Sequence, residues 1–187
     1  MVKKIKTCVF ISGNGSNLSS LIKSSRDYSF PISIKLVVSD KKHALGILHA
    51  KKNSIPCLHI NTKSGSYENV LLKNLKKYKI SLICLAGYMK ILSSKFIRHY
   101  PNKILNIHPS LLPKYKGLNT HKRVLENNDD ITGCTVHYVN HELDGGEIII
   151  QKTVKVDTTD TAITLADKVL KQENLIYPEA IKMVLRK

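Results

Sequence analysis

The sequence predicts a single α/β domain over residues 1–187, with a Rossmann-like, mostly parallel sheet that is mixed at one end and flanked by helices. Three observations carry this. Short apolar runs rich in Val, Ile and Leu alternate with stretches whose apolar residues recur every three or four positions, the pattern of strand–helix–strand units. A glycine turn, Gly13-Asn14-Gly15-Ser16-Asn17, separates the first apolar run from the first helical stretch. Near the C-terminus two β-rich runs flank a turn containing Gly145 and Gly146, a hairpin pattern that adds an antiparallel pair to the sheet.

In chain order, residues 7–12 read as the first strand, and Leu18, Leu21 and Ile22 then fall at helical spacing. Residues 32–39 read as a strand, 43–53 as a helix and 56–60 as a third strand. Residues 67–78 read as a helix with Val70, Leu71, Leu72 and Leu75 inward. Residues 81–86 are apolar enough to be a strand buried on both faces. A short helix is expected over 93–99, a strand over 104–108, a polar loop over 114–119 and a helix over 121–127. The hairpin strands are 131–139 and 147–156. Thr159 or Asp160 should cap a last helix that turns Ala162, Leu165, Val169 and Ile176 inward.

The glycine turn has two readings. Strand, glycine loop and helix is the layout that sets backbone N–H groups and the positive end of a helix against a phosphate. It is also a tight turn whose helix is capped by Ser16 or Asn17. Gly13 and Gly15, with Asp40 after the second strand, further suggest a dinucleotide site, but Leu18 stands where that pattern needs its third glycine.

The stretch that organises the rest is Ile104–Gly117, I-L-N-I-H-P-S-L-L-P-K-Y-K-G. Its strand must end at Pro109, which has no N–H for a ladder. Asn106 and His108, two apart, point to one side of that strand. A carboxamide and an imidazole thus meet at the carboxyl end of a strand, where open α/β sheets hold ligands. A structural hydrogen-bonded pair is the alternative.

The run N-I-H-P-S-L-L-P-K-Y-K-G closely resembles the signature of the folate-dependent formyltransferases. G-N-G-S-N-L at residues 13–18, A-G-Y-M-K-I-L at 86–92, H-E-L-D-G-G at 141–146 and Q-E-N-L-I-Y-P at 172–178 resemble the same family, in the branch that acts on phosphoribosylglycinamide. The resemblance covers essentially the whole chain. It implies a formyltransferase fold whose 1–100 half holds the nucleotide phosphate and whose 101–187 half carries folate binding and catalysis. It implies formyl transfer from 10-formyltetrahydrofolate, as cosubstrate, to the amine of 5-phosphoribosylglycinamide in de novo purine synthesis.

Residue by residue, the resemblance makes Asn106, His108 and Asp144 catalytic. Gly15, Ser16, Asn17 and Glu173 would bind the glycinamide nucleotide. Ser64, Met89, Lys90, Ile91, Leu92 and Asn106 would bind folate. The proposed chemistry is consistent with these residue types. Formyl transfer passes through a tetrahedral oxyanion that needs aimed donors and a proton route from amine to leaving nitrogen. Asn106 offers an amide N–H, and His108, if cationic, a charge-assisted one. A carboxylate at Asp144 favours the protonated imidazole. Read without the resemblance, Asp144 is a turn acid and Glu173 a solvated helix residue, while His137 is equally a cross-strand histidine or a support for the site. Two departures stand out. Lys90 replaces the family's usual arginine, and Ser64, with Lys63 beside it, stands near where the family places another.

Composition narrows the rest. The net charge is +16, but only four of the 30 basic residues are arginine (26, 98, 123 and 186), and the lysines are spread along the chain without interleaved aromatics. Specific nucleic-acid binding is therefore not expected, whereas attraction of anionic substrates is. There is no apolar run of ~18 residues to span a membrane and no secretory pattern at the start, so a cytoplasmic protein is expected; the sequence leaves monomer and homodimer open. Cys8, Cys57, Cys84 and Cys134 are scattered and read as reduced thiols. His43, His49, His59, His99 and His121 lack ligand spacing, so no metal is expected. At 187 residues no room is expected for the extra domain that transfer-RNA-directed or hydrolytic members of the family carry.

Overall fold

The computed structural model describes residues 4–185. Seven strands form one sheet in the order β3-β2-β1-β4-β5-β6-β7: β1 Ile5–Ile11, β2 Ile32–Ser39, β3 Cys57–His59, β4 Leu82–Leu85, β5 Ile104–His108, β6 Ile131–Tyr138 and β7 Ile148–Lys155. The helices are α1 Ser16–Ser25, α2 Gly46–Lys52, α3 Tyr67–Lys77, α4 Ser94–Arg98, α5 Thr120–Glu126 and α6 Ala162–Leu185. β1 pairs in parallel with β2 and with β4, and β2 with β3. β6 and β7 pair antiparallel, as the hairpin pattern predicts. The strand order reverses at β1, so the turns after β1 and β4 flank the switch point at which such sheets take ligands.

By its own packing the chain divides into two compact units, one ending at Leu105 and the other beginning at Asn106. In the first, Cys8 to Ile11 of β1 and all of β4 are buried, because a central parallel strand is covered on both faces. Leu18, Leu21 and Ile22 form the inward stripe of α1, at i, i+3 and i+4. In the second, Leu165, Val169, Ile176 and Tyr177 of α6 are buried, and each such aliphatic side chain contributes about 1.5–3 kcal/mol.

Several local expectations need correction. α2 begins at Gly46, three residues later than periodicity suggests, because the Gly46 N–H donates to Gly13 O at 3.0 Å in place of opening an earlier helical turn. On α3 only Leu71 and Leu75 are buried, and Val70 is 45% exposed, since two positions four apart already fill the inward stripe. Thr161, not Thr159 or Asp160, caps α6: its Oγ1 accepts from Thr164 N at 3.2 Å, and its own N–H donates to Thr164 Oγ1. Asp160 instead braces that turn, taking Lys168 Nζ at 2.7 Å and Asp157 N at 2.8 Å. Ala162, at the first turn, is exposed.

Candidate active site

In the second unit, β5 carries Asn106 and His108 to one side, and the turn before β7 brings Asp144 to them. His108 is buried, with Nδ1 3.3 Å from Asp144 Oδ2. Its Nε2 lies 2.9 Å from the Tyr115 carbonyl. Both partners are pure acceptors, so a ring that satisfies both carries a proton on each nitrogen. Asp144 also accepts Gly117 N–H at Oδ2, 2.8 Å away, which ties the 114–119 loop to the carboxylate. Asp144 adopts φ 48°, a left-handed backbone that Asp tolerates better than most side chains.

Asn106 Nδ2 is 3.1 Å from His137 Nε2 and 3.4 Å from Asp144 Oδ1. His137 is buried, its Nδ1 2.8 Å from the Tyr138 carbonyl. That fixes the tautomer: Nδ1–H donates to the carbonyl, and Nε2 accepts from Asn106. Burial pushes the His137 pKa down, against the hydrogen bond to the Tyr138 carbonyl and the Asp144 carboxylate, which favour the charged form. Asn106, His108, Asp144 and His137 thus form one bonded cluster. Both amide protons of Asn106 are engaged in it, the 3.4 Å contact to Asp144 being the weaker.

The segment after His108 is held from beneath by residues that the sequence reading did not single out. Thr135 Oγ1 donates to Ser110 O at 2.6 Å and accepts Leu112 N–H at 3.1 Å and Gln151 Nε2–H at 2.9 Å. Ser110 Oγ donates to Lys114 O at 2.6 Å. The only sequence signal for this support was Ser110 inside the H-P-S-L-L-P run. The His121 pKa is lowered by burial and then by its electrostatic interaction with His108, which places it in the same neighbourhood. Glu173 is only 8% exposed, which excludes a solvated helix-face residue. Its charge adds to the burial that pushes the Cys134 thiol up to about 12.

In the first unit, Gly15 is the N-cap of α1 with φ 75°, and no side chain caps the helix, so neither Ser16 nor Asn17 serves that purpose. A Cβ at Gly15 would lie 2.5 Å from Gly46 Cα, so only glycine fits here. Ser12, just before this loop, donates its N–H to Gly87 O at 3.1 Å and accepts Met89 N–H at Oγ, 2.8 Å away. At the other end of the Tyr88–Leu92 segment the Glu68 carboxylate takes both the backbone N–H and the hydroxyl of Ser93. Between these ties Met89 and Ile91 are 59% and 76% exposed, Lys90 is exposed and Leu92 is buried. Ser64 and Lys63 are exposed, and Ser64 Oγ is 3.1 Å from Ser66 Oγ. Leu18 is fully buried in α1, leaving no glycine in the dinucleotide position. Among the described residues no three His, Cys, Asp or Glu side chains gather as a metal site, and no helix is long and apolar enough to cross a membrane.

The sequence pattern of the formyl transferase family matches residues 5–181. The chain is 42% identical over 181 residues to a phosphoribosylglycinamide formyltransferase of Haemophilus influenzae, covering 95% of this chain and 85% of that protein. It is likewise 42% identical to the trifunctional purine biosynthetic protein adenosine-3 of Bos taurus, covering 97% of this chain but only 18% of that much longer protein. The crystal structure of phosphoribosylglycinamide formyltransferase from Brucella melitensis superposes with a TM-score of 0.93 at 42% identity, covering 98% of this chain and 97% of that one. With the family pattern matched over residues 5–181 and relatives 42% identical over most of their own length, the chain belongs to the formyl transferase family.

Proposed function

We propose that the chain transfers the formyl group of 10-formyltetrahydrofolate to the amine of 5-phosphoribosylglycinamide, a step of de novo purine synthesis. The observation that carries this is the His108 ring held between two acceptors, Asp144 and the Tyr115 carbonyl, which fits a cationic donor. The amine nitrogen attacks the formyl carbon, the carbonyl electrons move onto oxygen, and the resulting oxyanion takes the Nε2–H of His108. Asn106 yields its weaker bond to Asp144 and supplies a second donor. Asp144 keeps the imidazolium oriented, and collapse of the adduct breaks the bond to the folate nitrogen as a proton passes from the amine to that nitrogen. Removing one donor fixed at a developing oxyanion typically costs about 2.7–4 kcal/mol.

The binding roles rest on the first unit's loops and on α6. Uncapped by any side chain, the start of α1 beyond Gly15 suits a phosphate, with Ser16 and Asn17 as donors. Glu173 would take hydroxyls of the nucleotide. The exposed Met89 and Ile91, beside the backbone of residues 87–90, suit a flat heteroaromatic ring, with Leu92 behind and Lys90, Lys63 and Ser64 toward the anionic tail. In this reading residues 1–100 serve the nucleotide phosphate and 101–187 the chemistry, and the enzyme works in the cytoplasm, as a monomer or homodimer, on small molecules alone. The test is deformylation of a 10-formyl folate followed by absorbance, with and without the nucleotide. Turnover that requires the nucleotide is expected; turnover indifferent to it would replace transfer with hydrolysis.

A further inference from the structure

Tyr115 has no role in the reading above beyond lending a carbonyl, yet its surroundings are unusually constrained. Its φ is 57°, a left-handed conformation that bulky side chains rarely adopt and that persists only where neighbours enforce it. Here the enforcement is visible. The phenol donates to Asp129 Oδ2 at 2.9 Å, and Lys114 Nζ is 3.2 Å from the same oxygen. The Arg123 guanidinium lies over the ring, 5.2 Å from its centroid, and donates to the Lys116 carbonyl at 2.7 Å. Asp129 is fixed in turn to the end of α5, its N–H on Val124 O at 3.2 Å. The product of this clamp is the carbonyl 2.9 Å from His108 Nε2.

We propose that Tyr115 is a positioning residue for His108: its clamped backbone carbonyl holds the Nε2 proton in the reactive direction until a developing oxyanion takes it. This rests on the formyl-transfer reading. A neutral amide oxygen is a good enough acceptor to keep the imidazolium from turning, and a neutral formyl oxygen gains little by competing with it. An oxyanion is a much stronger acceptor, so the proton changes partner only as charge develops. The stabilisation is thereby confined to the transition state, where it raises turnover without tightening substrate binding. The charged and titratable groups around this ring are Asp144, His121 and His137. Asp144 faces the ring at Nδ1, and the Tyr115 carbonyl is the acceptor that faces Nε2.

The test compares Tyr115→Ala and Tyr115→Phe with the parent chain, each also in a His108→Ala background. Turnover number should fall about ten-fold in Tyr115→Ala, as loss of reactive alignment does, and by less in Tyr115→Phe, with KM for both substrates essentially unchanged. Neither substitution should lower turnover further once His108 is gone. Independently of turnover, the His108 imidazole N–H followed by NMR in the unliganded protein should exchange with solvent faster in both variants. An unchanged turnover number, a change confined to KM, an equal loss with and without His108, or unaltered exchange would overturn the proposal. If Tyr115→Ala does not fold, Tyr115→Phe keeps the ring under Arg123 and supplies both readouts. A parent chain that turns over no substrate counts against formyl transfer, and the exchange measurement then decides the role of Tyr115.

Discussion

The His108 cluster and the glycine loop at Gly13–Asn17 are both polar sites at strand ends, but they are built from different material. In the first, side chains bond to side chains: His108, Asp144, Asn106 and His137 are joined by three contacts between 3.1 and 3.4 Å. In the second, backbone does the work: Gly15 at φ 75°, an α1 start without a side-chain cap, and a Gly46 N–H on Gly13 O. Chemistry needs particular functional groups at particular atoms, whereas phosphate binding needs a particular path of N–H groups. Substitutions in the cluster should therefore cut turnover and leave the fold, and substitutions in the loop should change affinity and stability together.

The sharpest way to break this contrast is His108→Ala. Turnover number should drop by about 10³-fold or more, because a charge-assisted oxyanion donor is lost, while the thermal midpoint stays close to the parent. Near-normal turnover would end the catalytic reading. Asp144→Asn should rank second, with a loss of about 10²-fold, in the range for a missing orienting or proton-handling group. Asparagine still offers an oxygen to the Gly117 N–H, so the 114–119 loop keeps its tether while the imidazolium loses its counter-charge. Steady-state rates beside a circular dichroism melt separate the two effects.

Gly15→Ala tests the other region. The new Cβ would meet Gly46 Cα at 2.5 Å on a left-handed backbone, and the backbone penalty alone is about 1–2 kcal/mol. Both the nucleotide KM and the unfolding midpoint should suffer, with turnover at saturation affected least. A fall in turnover number alone, with KM intact, would erase the distinction between the two regions.

The same contrast explains what was legible in the sequence. The strand–helix alternation, the hairpin and the convergence of Asn106 and His108 could be read because each depends on residue type at fixed spacing, whereas Asp144, far along the chain in a turn, was marked only by the family resemblance. Thr135, Gln151, Gly117 and Tyr115 could not, because they act through backbone groups or across the sheet, and nothing in local sequence marks a carbonyl as a histidine's partner. The start of α2 and the cap of α6 were missed for a related reason. Gly46 follows a tertiary hydrogen bond to Gly13, and Thr161 wins over Asp160 because Asp160 is drawn to Lys168. The inward stripe of α3 was drawn too wide because periodicity alone does not say how much surface a neighbour covers.

The cluster also has a signature in stability. His137 and His121 both have pKa values below the ordinary 6.5. The unfolded chain therefore takes up protons first as pH falls, so their contribution is complete above about pH 6.5 and lost below it. Asp160, held near 2 by Lys168, and Asp129, lowered by the Tyr115 hydroxyl, act in a separate window, losing their contribution only as pH falls below the ordinary 3.8. Denaturant midpoints between pH 5 and 8 should thus rise with pH and level off near neutrality. His137→Asn should flatten that slope, and a slope unchanged by it would assign the effect elsewhere.

The smallest expected effect lies in the exposed segment that carries Lys90. If backbone shape and exposed apolar groups govern folate binding here, restoring arginine at this position changes little. An exposed ion pair is worth only about 0.2–1 kcal/mol, although a guanidinium can grip a carboxylate with two parallel bonds where an ammonium acts as a point charge. Lys90→Arg, alone and with Ser64→Arg, should therefore lower the folate KM by no more than a few fold and leave turnover number and nucleotide KM unaltered. The effect should shrink as salt is raised, since exposed charges are screened over about 10 Å at 0.1 M. A gain of a hundred-fold, or one indifferent to salt, would mean that side-chain identity dominates in the first unit as it does in the second.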